Sequence, residues 1–280
     1  MLREKSVAFL GAGSMAESMI SGIVQVGSIP AENVYVTNRS NQLRLKEMNH
    51  VYGVNAVQQD ALPYEEIDLF ILAMKPQGAA DALRALKDKV RADQVVISVL
   101  AGISTEFMED HLNLNQQVVR VMPNTSSMIQ ESATALSPGR HTAMDNVLAV
   151  KELLSCMGKV FLIEEEQMDI FTGIAGSGPA YFYYLMEHME QAGVEKGMDE
   201  EMVREIVAQT ILGAAKMIMA NDEAPESLRK KVTSPNGTTA SGLEALRKNN
   251  GGKAISQAIH HAAKRSKELN EEMAGALVTS

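Results

Sequence analysis

Up to about residue 160, short apolar runs alternate with segments of helical period along this 280-residue chain. The apolar runs predict strands at 6–10, 33–37, 68–73, 95–99, 118–121, 133–137 and 160–163. Between them, helical patterns fill 14–26, 41–49, 78–86, 105–111 and 143–157. Strands alternating with helices predict a mostly parallel sheet with helices on both faces. Leu69-Phe70-Ile71-Leu72 and Val95-Val96-Ile97 are continuously apolar, as strands buried on both sides require. Beyond residue 164 the strand pattern stops. Helical periodicity takes over in 165–175, 179–196, 199–221, 225–232, 239–247 and 251–273, punctuated by Gly197, Pro225 and Gly251-Gly252. The expected organisation is therefore an α/β domain over 1–163 and an all-α domain over 164–280. The apolar content of the helical domain exceeds what one small bundle can hide, which makes it a candidate dimerisation surface.

Composition narrows the class. With 45% hydrophobic and 22% charged residues the chain reads as globular. A net charge of -9 argues against nucleic-acid or anionic-membrane partners, because phosphate contacts need clustered Lys and Arg. The single cysteine, Cys156, excludes an intramolecular disulfide and a Cys-based zinc site, and its apolar helical setting predicts a buried, inert thiol. No apolar run approaches membrane-spanning length, and Met1-Leu2-Arg3-Glu4-Lys5 leaves no room for a signal peptide before the first strand, so a cytoplasmic protein is expected. Met186, Met189, Met217 and Met219, at helical spacing, read as adaptable packing in helix interfaces.

Candidate chemistry begins where the first strand ends. Gly11-Ala12-Gly13-Ser14-Met15-Ala16 is a G-x-G-x-x-A run between a strand and a helix. Gly11 permits the tight turn, Gly13 lets backbone N–H groups approach a diphosphate, and Ala16 keeps the helix close to the sheet. At the end of the second strand, where NAD sites place Asp or Glu against the ribose, stand Asn38, Arg39 and Ser40. A missing carboxylate and an added guanidinium suit a 2′-phosphate, favouring NADPH and leaving NADH as the less preferred donor. Ala73-Met74-Lys75-Pro76 ends the next buried strand, where Pro76 fixes a turn that aims Lys75 into the crevice; Ala101 follows the strand after it. The six histidines show neither metal-ligand nor triad spacing. Without a general acid–base set, the chain suits hydride transfer to a substrate that arrives already protonated.

In the helical half, Val232-Thr233-Ser234-Pro235-Asn236-Gly237-Thr238-Thr239 is a hydroxyl-rich turn opening onto a helix. Its everyday reading is helix capping. The alternative is a carboxylate site, in which the N–H groups of Gly237 to Thr239 and the hydroxyls of Ser234, Thr238 and Thr239 are the donors.

Taken in order, GAGSMAE, TNRS, ILAMKPQ, SVLAGIS, RVMPNTS, TGIAGSGPAYFYYLME and VTSPNGTTASGL resemble the pyrroline-5-carboxylate reductase family from about residue 6 to 268. The resemblance implies a Rossmann domain followed by a helical domain that interlocks two subunits, often in a ring of dimers. It implies NADPH-dependent reduction of L-1-pyrroline-5-carboxylate to L-proline. Cofactor contacts are implied at Gly11 through Ala16, Asn38, Arg39, Ser40, Ala73, Met74, Lys75, Pro76 and Ala101. The substrate carboxylate would lie on the Ser234 to Thr239 loop, contributed in family members by the partner subunit. Thr239 matches the hydroxyl that meets the ring nitrogen, and Glu165 a residue near the ring. Thr239 and Lys75 are the candidate catalytic residues. The chain departs from the family at Asn236, where many members have Gly, and at Asp60 and Lys231, where some carry an Asn that touches the nucleotide. A β-hydroxyacid dehydrogenase of similar build would need a catalytic Lys that the GSGPAY region lacks, and a sensor binding NADPH without turnover is the alternative from another class.

Overall fold

In the computed structural model, which describes residues 2–278, the chain up to residue 162 contributes eight strands to one sheet. They are β1 (Val7–Leu10), β2 (Val34–Thr37), β3 (Asn55–Val57), β4 (Leu69–Leu72), β5 (Val95–Ser98), β6 (Gln117–Met122), β7 (Ser132–Pro138) and β8 (Gly158–Leu162). The spatial order is β3-β2-β1-β4-β5-β6-β7-β8, parallel throughout except between β6 and β7. From β1 the chain steps outward to β2 and β3, then crosses back to β4 on the other side. That reversal opens a crevice beyond the carboxyl ends of β1 and β4, where sheets of this kind bind ligands.

The strict alternation of a strand explains both cores. Val7 and Phe9 of β1 join Val34, Val36, Ile71 and Ile97 under α1 (Ser14–Val26), α2 (Gln42–Tyr52) and α5 (Met144–Leu154). Ala8 and Leu10 face the other way, with Phe70, Leu72 and Val96, against α3 (Ala79–Lys87) and α4 (Thr105–His111). Successive side chains on opposite faces therefore both meet helices, which is why these strands carry no polar alternation.

Two features depart from the sequence expectation. Strand β3 has only half-buried residues and no apolar run; it pairs with β2 in the register Tyr35↔Asn55, and Asn55 Nδ2 donates to the Glu32 carbonyl at 2.6 Å. The segment expected as one helix over 165–175 comprises a 3-10 turn (Glu165–Gln167), α6 (Met168–Phe171) and a π turn (Thr172–Gly176). Side-chain bonds hold that irregular path: Thr172 Oγ1 donates to the Met168 carbonyl at 2.8 Å, and Asn124 Nδ2 donates to the Ala175 carbonyl at 3.0 Å.

The remaining elements are α7 (Gly178–Val194), α8 (Glu200–Ala220), α9 (Pro225–Lys231), α10 (Thr238–Lys248) and α11 (Gly251–Val278); no strand follows Leu162 among the described residues. Two compact units result, one running to Gly176 and including the chain from His261, the other Ser177–His260. In the first, Ser266 Oγ and Asn270 Nδ2 from α11 donate to Asp169 Oδ1 at 2.7 and 2.8 Å. In the second, α7 and α8 approach so closely that a Cβ on Gly193 would lie 2.7 Å from a Val203 methyl. Gly197, in the left-handed region at φ 85°, turns the chain between them, and Asp199 caps α8 by accepting from the Met202 amide at 3.0 Å. Among the described residues no helix is long and apolar enough to cross a membrane.

Candidate active site

Gly11 sits at the crossing of three strand ends. Its amide donates to the Thr37 carbonyl at 3.1 Å, its φ is 120°, and a Cβ there would fall 2.4 Å from the Ala73 carbonyl oxygen. A side chain at this position is excluded by both backbone conformation and space. Gly13 is different: its backbone is extended, and a Cβ would meet only the Ala73 oxygen, at 3.9 Å. The demand for glycine there is an open approach, not local packing. Gly13 caps α1 without a side chain, so the first-turn amides of Ser14, Met15 and Ala16 have no intrahelical acceptor. Those donors and the positive helix end form an anion site at the carboxyl edge of the sheet. Ala12 and Ala16 are buried, Met15 is half-buried, and Ser14 is exposed.

Asn38 builds the turn after β2. Its Oδ1 accepts from the amides of Ser40 and Asn41 at 3.1 and 2.9 Å, leaving Nδ2 as a donor where NAD sites carry a carboxylate. Arg39 and Ser40 are exposed beside it. The Asp81 carboxyl, in the first turn of α3, is held below its ordinary range chiefly by its hydrogen bond with Arg84, with a smaller Coulombic pull from Arg39. At the end of β4, Ala73 is buried, Met74 half-buried, and Lys75 exposed with no ion-pair partner among the described residues; Pro76 begins a 3-10 turn. Val99, following β5, donates to the Leu72 carbonyl at 3.2 Å, and Ala101 lies exposed two residues on. The structure thus gathers 11–16, 38–40, 73–76 and Ala101 at one sheet edge. Asp60, exposed in the turn Gln59–Ala61 beyond β3, lies further out on that edge.

Glu165 belongs to the same unit, and it pairs with Arg120, which the sequence shows only as the first residue of RVMPNTS. Arg120 on β6 is 3% exposed and donates from Nη1 to Glu165 Oε1 at 2.7 Å; the same oxygen accepts from the Thr105 amide at 3.4 Å. Arg120 Nε and Nη2 and Glu165 Oε2 are buried without a protein partner. Glu165 is therefore an anchored carboxylate. The available signal was a lone Arg within the apolar run Val118-Val119-Arg120-Val121-Met122, since a buried guanidinium needs an anionic partner.

The hydroxyl-rich turn lies in the other unit. Asn236 takes the left-handed conformation at φ 60°, which Asn tolerates. Gly237 donates to the Ser234 carbonyl at 3.1 Å, and a Cβ on it would lie 2.4 Å from Ser234 Oγ. Gly237 is itself the cap of α10, with no side-chain hydrogen bond. The hydroxyls of Ser234, Thr238 and Thr239 make no hydrogen bond among the described residues, so none of them is spent on capping. Thr233 Oγ1 instead donates back to the Arg229 carbonyl in the last turn of α9, at 2.6 Å. Lys231 pairs with Glu223 at 2.6 Å.

No cluster of three or more His, Cys, Asp or Glu groups suited to a metal occurs among the described residues. Burial pushes the Cys156 thiol up to about 12, so it is not a nucleophile at neutral pH.

A mostly parallel sheet with free helix-end amides at its point of reversal defines a Rossmann-type dinucleotide-binding fold. Comparison with known proteins agrees and goes further. Residues 6–102 match the family described as NADP oxidoreductase coenzyme F420-dependent, and residues 165–269 match that described as pyrroline-5-carboxylate reductase dimerisation. The chain is 58% identical to pyrroline-5-carboxylate reductase 1 of Bacillus subtilis, over 96% of this chain and 91% of the relative. It is similar to the solved pyrroline-5-carboxylate reductase of Coxiella burnetii, at TM-score 0.89 and 30% identity, over 95% of this chain and 98% of that one. It is also similar to the Plasmodium falciparum pyrroline carboxylate reductase solved with NADP bound, at TM-score 0.85 and 27% identity, over 96% of this chain and all of that one (100%). The chain belongs to the pyrroline-5-carboxylate reductase family, and self-association through its helical region is part of that membership.

Proposed function

We propose that this protein reduces L-1-pyrroline-5-carboxylate to L-proline, the last step of proline biosynthesis, with NADPH as preferred hydride donor and NADH as a weaker one. The observation that carries the reading is the uncapped first turn of α10, whose amides and neighbouring hydroxyls are left as a ready-made carboxylate site. The nucleotide, when bound, supplies the hydride. In this reading the amides of Gly11 through Ala16 hold the diphosphate, and Asn38, Arg39 and Ser40 meet the adenosine ribose and its 2′-phosphate, with Asp60 nearby. Ala73, Met74, Lys75, Pro76 and Ala101 flank the nicotinamide half, Lys75 within reach of the reacting groups. Ser234, Gly237 and Thr238 hold the carboxylate, Thr239 takes the ring nitrogen, and Glu165 lies near the ring. Protonation of that nitrogen raises the positive charge on the C=N carbon, so the protein has only to orient the ring and exclude competing water. The division of labour is a nucleotide-binding domain over 1–163 and a substrate and dimerisation domain over 164–280, assembled as a homodimer or a ring of dimers in the cytoplasm.

The test follows NADPH absorbance in the presence of pyrroline-5-carboxylate and in its absence. Oxidation only with the imine is expected. Tight NADPH binding without oxidation would instead make the protein a nucleotide sensor, and a preference for a β-hydroxyacid would move it to another dehydrogenase class.

A further inference from the structure

Among the described residues, Arg44, on α2, is the guanidinium that hydrogen-bonds the glycine-rich turn itself. Its Nε donates to the Ala12 carbonyl at 3.0 Å, its Nη2 pairs with Glu17 on α1, and its Nη1 pairs with Glu47 at 2.8 Å. Tyr52 OH donates to the other oxygen of Glu17 at 3.1 Å. The Arg44 side chain is 18% exposed, and each of its three nitrogens has a protein acceptor. Three of its five N–H donors are thus engaged within the protein, one on each nitrogen. What it does is fix a peptide plane. In a trans peptide the carbonyl and the following N–H point in opposite directions. Holding the Ala12 oxygen towards α2 therefore turns the Gly13 amide the other way. Gly13 is the position where the backbone lies open, immediately before the free amides of α1.

We propose that Arg44 is a positioning residue for the dinucleotide diphosphate: it locks the Ala12–Gly13 peptide so that the Gly13 amide is presented to the phosphate oxygens. The inference rests on the nucleotide reading above and adds a residue that acts through the turn, serving NADPH and NADH alike. Arg39, by contrast, would act on the 2′-phosphate alone.

The experiment measures calorimetric dissociation constants for NADPH, NADH and adenosine 2′-monophosphate, which lacks the diphosphate, with the wild-type protein, Arg44→Gln and Arg44→Lys. Arg44→Gln is expected to weaken NADPH and NADH by the same factor, about tenfold, as loss of a charge-assisted hydrogen bond predicts, while adenosine 2′-monophosphate binds as before. Arg44→Lys, which keeps the charge but not the fork, should fall between. If Arg44→Gln does not give a cooperative thermal transition, Arg44→Lys carries the comparison. Unchanged dinucleotide binding overturns the proposal, as does an equal loss for adenosine 2′-monophosphate, which would mark general damage to the site. A wild-type protein that binds neither dinucleotide overturns the nucleotide reading itself, a result distinct from either.

Discussion

The sheet-based unit and the Ser177–His260 unit handle their apolar side chains in opposite ways. Sheet and helices bury most of theirs, in a large cluster on each face and a small one of Met122, Ala135 and Met168, while Leu43, Met128, Ile129 and Met144 are among those left exposed. In the helical unit, Val203 and Val207 are the buried apolar residues among those described, while Phe182, Tyr183, Tyr184, Met202, Met217 and Met219 stand in solvent, Met219 at 75% exposure. The sheet unit has exposed apolar residues too, such as Leu114 at 86%, but Leu114 lies between Asn113 and Asn115, whereas the helical unit repeats its exposed apolar positions along two helices. A single exposed Leu is ordinary; aromatic and Met side chains exposed along two successive helices make a surface meant to be covered. The comparison teaches that the helical unit leaves apolar surface that a second chain can cover, consistent with the dimerisation family matched by residues 165–269.

The sharpest way to break that contrast is to charge one residue in each unit. Met217→Asp would put a carboxylate where a second chain must close, at a cost of about 4 kcal/mol or more, a thousandfold in the dimer's dissociation constant. Sedimentation analysis should show monomer, or a chain that no longer folds, with activity lost. Leu114→Asp should leave sedimentation and activity unchanged. If Met217→Asp remains fully dimeric, the exposed α8 face is not the interface.

The same contrast explains what the sequence made legible. Buried strands announce themselves as apolar runs, and the β1–turn–α1 passage as glycines in a fixed context, because both are local consequences of local residues. Strand β3 is legible only from its pairing, since Asn55-Ala56-Val57 has no hydrophobic signal of its own. The antiparallel pairing of β7 on β6 follows from a connection of about nine residues, 123–131, too short for a crossover helix, and counting that gap would have found it. The Arg120–Glu165 pair bridges 45 positions, so its partner could not be read from spacing. The π turn that ends 165–176 accepts a hydrogen bond from Asn124, again a distant residue. Conversely, the turn at 232–239 reads locally as an ordinary helix cap, and only its geometry shows that Gly237 leaves the neighbouring hydroxyls unspent.

Thr239 tests whether the two units divide the work. Thr239→Val keeps the branched shape and removes the hydroxyl proposed to meet the ring nitrogen. Leaving that nitrogen unpartnered in a confined site costs about 1–3 kcal/mol, so kcat/KM should fall on the order of ten- to a hundredfold. The NADPH dissociation constant should not change. A fall in kcat would mean that the hydroxyl acts on the developing amine, and a rise in KM alone would mean that it binds the ground state. Wild-type efficiency would return this loop to plain helix initiation.

Arg39 gives the smallest effect and the finest discrimination. It is exposed, makes no ion pair among the described residues, and follows an Asn whose side-chain carbonyl is already occupied by two backbone amides. Removing it should leave the fold untouched. A solvent-exposed guanidinium gains little from any one charge, because water and salt screen the contact, so the loss on Arg39→Ala is about 1 kcal/mol, roughly fivefold in the KM for NADPH. The KM for NADH should stay the same, since NADH has no 2′-phosphate for Arg39 to meet, and the KM for the imine should stay the same because Arg39 is not among the residues proposed to hold it. Raising the ionic strength should narrow the wild-type preference for NADPH towards that of the variant, as a screened ion contact requires. An equal rise in KM for both nucleotides would assign Arg39 to the adenosine or to the turn after β2, and would move the 2′-phosphate site elsewhere on the sheet edge.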